Sequence, residues 1–292
     1  MKIPRRLESM NSPARHFRML ITVLVSFSAV WVWAQQPANP SESSCLSKVI
    51  VSVPSRPTVS NATDTTQCGA VELEYGWERQ WVSTGTHQTD VSGGLRLGLT
   101  PSLDFHWASA DFLSMVNRNA VHSGFGDSWL GLKYRFSRQN KHVPSFGVFY
   151  QAKLPSADDK SGMGTGQVDH AISFLASKDI GRVHLDFNVI EVLAGRSIIS
   201  GFDHNTGSAL SCWVPVSKKL TLVVEGHGSN ELNQATPGFA SALTGMTYKV
   251  NPRLFLDGGI DSGVTPSAPG ERVFVGITYA VANLYRTLSP SR

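Results

Sequence analysis

From residue 70 onward the chain consists of short runs in which apolar and polar side chains alternate, and this constrains the fold more than any other feature. Twelve runs stand out, over 70–79, 89–99, 102–108, 128–136, 145–154, 167–177, 182–193, 207–216, 219–228, 239–249, 253–261 and 271–280. A period of two belongs to a β-strand. Many of the runs approach the ~9–11 residues that a tilted membrane strand needs, whereas strands of globular proteins average only ~5–6. The connections alternate as well. Short turns follow the even-numbered runs, at Thr100, Ser137, Lys178, Ser217 and Asn251, and longer Gly-rich or polar loops follow the odd ones, as over 109–127, 155–166, 194–206, 229–238 and 262–270. Transmembrane barrels have short periplasmic turns and longer extracellular loops. The expected fold is therefore all-β, an antiparallel transmembrane β-barrel of about 12 strands over 70–280. A secreted β-sandwich is the alternative, but it gives no reason for alternating connection lengths.

The stretch GFGDSWLGLKYRF, residues 124–136, poses the question of which face points where. Leu130, Leu132, Tyr134 and Phe136 share one parity; Trp129, Gly131, Lys133 and Arg135 share the other. In a barrel the apolar set meets lipid, because an Arg or Lys facing lipid at mid-depth costs about 2–4 kcal/mol. The same rule assigns Leu73, Trp77, Phe105, Trp107, Phe187, Val275, Ile277 and Tyr279 to lipid. The opposite parity carries Glu72, Glu74, Arg96, Asp104, His106, Lys133, Arg135, Gln151, Lys153, Asp169, Asp186, Glu225, Asp257 and Arg272, with Trp129, Phe149 and Phe255 among them. These are the candidate pore-lining residues. Their mixed charges admit two readings, a lumen filled by ion pairs and a selective path. Trp77 and Trp107 fall at outer strand ends, and Tyr134, Phe136, Phe146, Tyr248 and Tyr279 at inner ends, as two interfacial aromatic bands require.

Before the barrel, residues 1–34 read as a secretory signal peptide: a basic start, an apolar run from Met19 to Ala34 and a small residue at the expected cut. This segment carries five basic residues (Lys2, Arg5, Arg6, Arg15, Arg18) and one acid (Glu8), which leaves 21 of each sign beyond it. The basic pI thus belongs to the leader and argues for no nucleic-acid partner. Charged residues are 16% of the chain, against ~25% in ordinary soluble domains. Residues 35–69, rich in Pro, Ser, Thr and Asn, read as a poorly ordered periplasmic lead-in. Cys45 and Cys68 would close a short loop there if they oxidise. Residues 281–292 read as a C-terminal tail.

GFGDSWLGLKYRF, followed by PSFGVFYQAKLPSADDKSGMGTGQVDHAISFLASKDIG and the Glu of LVVEGHGS, resembles the outer-membrane proteins grouped under a MetA pathway of phenol degradation. The resemblance spans roughly residues 70–280. It implies an outer-membrane barrel of transporter type that passes aromatic or other apolar small molecules. One string points elsewhere. His227-x-Ser229-Asn230 looks like the H-x-S-N of outer-membrane lipases, in which His activates Ser. His227 has the inward parity, and only Glu225 and Asn233 offer a third member. His122, His142, His184 and Asp158/Asp159 form no recognisable metal set.

The expected function is passive passage of small apolar or aromatic solutes through the outer membrane, without catalysis and without a cofactor. The alternatives are a lipid hydrolase using His227 and Ser229, and a closed structural barrel. The expected partners are outer-membrane lipid, a small-molecule solute and the barrel-assembly machinery during biogenesis.

Overall fold

The computed structural model describes residues 45–83, 85–117, 120–158, 163–196, 200–232 and 236–288. The expected signal peptide and residues 35–44 lie outside them. The strands are β1 (Ala70–Ser83), β2 (Thr86–Thr100), β3 (Leu103–Asn117), β4 (Ala120–Gly124), β5 (Ser128–Ser137), β6 (Ser145–Leu154), β7 (Asp169–Ile180), β8 (Val183–Gly195), β9 (Phe202–Pro215), β10 (Leu220–Ser229), β11 (Phe239–Asn251), β12 (Leu254–Gly263) and β13 (Arg272–Asn283). A one-turn helix, α1 (Leu284–Leu288), follows β13.

Every pairing between these strands is antiparallel, and the sheet closes. β1 bonds to both β2 and β13, and β3 bonds to both β2 and β5. β4 pairs only with the outer part of β3. The ring is therefore a closed barrel of 12 strands with one extra hairpin strand at its rim. The twelve runs read from the sequence correspond one to one with the ring. Ala70 is the register partner of Asn283, so both ends of the barrel chain meet at the rim bearing the short turns.

Two connections differ from expectation. β1 and β2 continue to a tight turn instead of giving way to a loop. The span 109–127 is mostly β3 and its hairpin with β4, not a free loop. At the other end, the expected tail begins with the last residues of β13 and α1, where Leu284 N donates to Gly69 O and Tyr285 Oη to Leu99 O.

Exposure settles the faces. Leu132 (46%), Phe136 (51%) and Val275 (55%) are open on the outside, whereas Lys133 (2%) and Arg135 (4%) are buried inside. Phe136, Phe146 and Phe174 cluster with ring centroids 5.7–6.4 Å apart at the inner end. Nearby, Lys219 lies over Tyr248 and Arg253 over Tyr279. These amphipathic pairs suit the headgroup level. The interior is largely polar by contrast; its apolar side chains include a small cluster of Val223, Leu243 and Phe274 and the buried Phe149 and Leu175.

The largest departure concerns residues 45–69. They are not a lead-in hanging from the barrel. They run inside it as a strap that rounds the lumen. Ser52 N bonds to Pro252 O in the β11–β12 turn. The strap then meets β1 through Val53 and Ser55, β12 and β13 through Arg56, and β10 through Val59 and Ser60. It continues past β8 at Asn61, β7 at Thr63, β5 at Asp64 and β3 at Thr66. A bridge from Cys68 to Gly98 on β2 precedes its entry into β1. A Cβ on Gly98 would lie 2.2 Å from Gln67 O, so only glycine lets the strap pass this close. The Cys45–Cys68 disulfide ties the start of the strap to its end.

The physical reason for the departure is that Pro, Ser, Thr and Asn cannot build an apolar core, which makes such a segment look unstructured. Inside a polar lumen the requirement changes. Each backbone N–H needs an acceptor, and the inner wall supplies carboxylates.

Candidate functional site

The site is the lumen, and the strap divides its residues into three groups. The first group holds the strap. Glu72 Oε1 accepts from Val53 N at 2.9 Å, and Glu74 Oε1 from Ser55 N at 2.9 Å. Glu225 takes Val59 N and Ser60 N on its two oxygens, both at 2.8 Å, and Asp104 takes Thr66 N at 2.7 Å. Basic residues hold the carbonyls and the acid of the strap. Arg96 Nη2 reaches Glu72 at 2.6 Å and Val53 O at 2.8 Å. Lys133 Nζ donates to Asp64 O at 2.5 Å, and Arg135 Nη1 to Asp64 Oδ1 at 2.9 Å. Bonds to charged acceptors and from charged donors are roughly twice as strong as neutral ones. Asp257 completes this group through its ion pair with Arg56.

The second group lines an open space. A cavity of about 410 Å³ lies against β1, β2, β3, β5 and β6, with strap residues Ser55, Arg56 and Asn61 on its boundary. Of the candidate residues, Glu74, Arg96, His106, Trp129, Phe149 and Gln151 line it. His106 and Phe149 form a tilted ring pair with centroids 4.7 Å apart, and His106 Nε2 bonds to Asp104 Oδ1 at 3.0 Å. Asp90, Ser92, Ser109 and Asp127 also line the space and were not among the expected residues. Parity places Asp90 on the inner face of β2, so this residue was within reach of the sequence. The strap residues were not, because nothing in their composition marks a segment that enters a barrel.

The third group forms networks that do not bond to the strap directly, although that of Asp186 reaches it through Ser177, which also accepts from Thr63 N. Lys153 Nζ lies 2.5 Å from Asp169, 3.6 Å from Asp127 and 2.7 Å from Thr165 Oγ1. Asp127 Oδ1 also accepts from Ala157 N. The GFGD and GTGQ strings thus meet across the outer loop, which gives their residues a structural task. Arg272 joins Glu78 at 3.1 Å and Asp261 at 2.9 Å. Asp186 bonds to Ser177, His184 and Trp213, and Phe255 lies near the inner rim under Lys249.

The lipase-like string lies at the end of β10. His227 Nε2 faces Asp261 at 3.2 Å, and no hydrogen bond joins His227 to Ser229. Asn233 lies outside the described residues. Among the described residues no group of three His, Cys, Asp or Glu is placed to hold a metal ion; Asp159 lies outside them.

The sequence pattern of the family described as "Putative MetA-pathway of phenol degradation" matches residues 55–277. The chain belongs to this family. The matched span opens at Ser55, so the family pattern takes in the strap from Ser55 onward as well as the barrel. No curated protein matches the chain. Among solved structures, an outer membrane channel from Pseudomonas putida F1 superposes with a TM-score of 0.61 at 15% identity, over 75% of this chain and 98% of that one. The NanC porin superposes with a TM-score of 0.51 at 10% identity, over 73% of this chain and all of its own. At such identities the likeness shows the fold, which is that of outer-membrane barrels.

Proposed function

We propose that this member of the family is a passive outer-membrane channel for small apolar or aromatic solutes. The observation that carries the reading is the cavity bounded by strap residues. Its volume, about 410 Å³, falls within the roughly 300–1,000 Å³ typical of small-molecule sites. Its wall places the rings of Trp129, Phe149 and His106 beside a few polar groups, a combination that suits flat, partly polar solutes through stacking and cation–π contact. The resemblance to a channel fold and the name of the family point the same way.

The strap favours a second reading, a closed barrel with a structural role, because Thr63, Thr65, Thr66 and Gln67 are fully enclosed in the lumen. Reconstitution into liposomes separates the two readings. Uptake of phenols and aromatic acids in preference to sugars of similar size supports the channel. A barrel impermeable to all of them, and silent in planar bilayers, supports the closed form. The hydrolase reading predicts Ser229-dependent release of fatty acid from phospholipid in micelles. The separation of His227 from Ser229 in the bonding pattern leads us to expect none.

A further inference from the structure

At the edge of the cavity sits a cation that belongs to the strap and not to the wall. Arg56 Nε donates to Asp257 Oδ1 on β12 at 3.2 Å, and Nη2 to Val275 O on β13 at 3.4 Å. The guanidinium also lies against two glycines, Gly76 of β1 and Gly276 of β13, which are direct register partners. A Cβ on Gly76 would stand 2.4 Å from Arg56 Cζ, and the three nearest atoms it would meet all belong to that guanidinium. On Gly276 a Cβ would stand 2.4 Å from Arg56 Nε and 2.5 Å from Asp257 Oδ2. A paired absence of side chains on adjacent strands thus makes a seat of the size of one guanidinium. The Arg56 side chain keeps 22% of its surface open, whereas Asp257 keeps 3%. The cation faces the cavity and the acid is covered.

The same cavity is faced by the acids Glu74, Asp90 and Asp127, and by the bases Arg96 and His106. Arg96 is taken up by Glu72, Glu74 and Val53 O, and Asp127 lies beside Lys153. Arg56 is therefore the charge through which the position of the strap and the electrostatics of the cavity are joined.

We propose that Arg56, seated between Gly76 and Gly276, is the latch that holds the strap at the cavity and the residue that sets the charge preference of the passage. It offsets the acids that face the same space. Removing it leaves Asp257 uncovered and tips the passage toward cations. Removing Asp257 leaves the guanidinium unpaired and tips it toward anions. This inference rests on the channel reading above.

The test uses the full chain in planar bilayers under a potassium chloride gradient, with amide hydrogen exchange over Ser55–Ser60 measured in parallel. Arg56→Gln is expected to move the reversal potential toward potassium, and Asp257→Asn toward chloride. Gly76→Ala should raise conductance several-fold and speed exchange at Ser55 and Arg56, because the three atoms nearest its methyl all belong to the Arg56 guanidinium, which must leave its seat. Gly226→Ala, whose Cβ would meet nothing within 4 Å, should change neither readout. Shifts of the same sign for Arg56→Gln and Asp257→Asn, or none, would overturn the selectivity role. Wild-type exchange in Gly76→Ala would overturn the latch. A wild-type barrel that carries no current refutes the channel reading instead, and the latch is then decided by the exchange data alone.

Discussion

Glu225 offers the most direct measure of how the wall holds the strap. Its side chain is 4% exposed, and both carboxylate oxygens are used, for Val59 N and Ser60 N at 2.8 Å each. A hydrogen bond to a charged group is worth about 1.5–3 kcal/mol. Two such bonds give about 3–6 kcal/mol, and the lower figure is the better guide because water enters a polar lumen. In Glu225→Ala these amides should exchange about 100-fold faster, given about 1.4 kcal/mol per tenfold change. Glu225→Gln keeps one acceptor oxygen and turns an NH₂ toward the other amide, so its effect should match or exceed the loss of one bond. The backbone pairing of β10 with β9 and β11 is untouched, so heat-modifiable gel migration should stay as in the wild type. The amide of Ser55, held by Glu74, serves as an internal reference. The reasoning is refuted if Val59 and Ser60 exchange at wild-type rates in Glu225→Ala. It is also refuted if every strap amide loosens together with the barrel strands, since the carboxylate would then act on the fold as a whole.

The remaining predictions address other parts of the molecule. Arg in place of Leu132 or Val275, both open to lipid, should cost about 2–4 kcal/mol at mid-depth and impair membrane insertion, whereas Arg at Gln151, which lines the cavity, should be tolerated; outer-membrane fractionation reads the difference. Replacing Cys45 and Cys68 by Ser removes the closure of a loop of 23 residues, worth about 3 kcal/mol in the chain-entropy account; the variant should lose its folded gel mobility at a lower temperature. Phe149→Ala or Trp129→Ala should reduce liposome uptake of aromatic solutes relative to sugars, because it removes ring surface from the cavity and leaves its polar groups in place.

The barrel was legible in the sequence because parity is a strict signal. A strand between lipid and a polar lumen must alternate, and a one-residue slip would turn every side chain to the wrong medium. Leu132 and Lys133 are adjacent in the chain, yet one is half open and the other enclosed, as alternation alone required. The extension of β3 through Ser114 to its pairing with β4 was harder to see. Over 109–117 the residues of both faces are at least partly exposed, so burial no longer imposes alternation on the sequence. The strap left still less trace. Its order comes from acceptors on distant strands, such as Glu225, 165 residues away from the Ser60 it binds, and no local preference of the segment reports on them.

Yet the wall did carry a sign of the missing segment. Glu72, Glu74, Asp104 and Glu225 were assigned inward by parity, and three of them lie on β1 and β3. Carboxylates enclosed in a narrow barrel need donors, and the basic residues of the wall do not suffice. Arg96 serves Glu72 and Glu74, His106 reaches one oxygen of Asp104 at 3.0 Å while Lys133 Nζ stands 3.9 Å from the other, and the only groups that hydrogen-bond to the Glu225 carboxylate among the described residues are backbone amides of the strap. A backbone carries one N–H per non-proline residue whatever its side chains, so a Ser- and Thr-rich segment of no apparent pattern meets that need. It also brings little bulk, and Thr63, Thr65 and Thr66 are completely enclosed. Two features that each look unstable alone, a lumen crowded with acids and a segment unable to build a core, therefore satisfy one another. The balance between them decides how much of the lumen stays unfilled, as in the cavity beside Arg56.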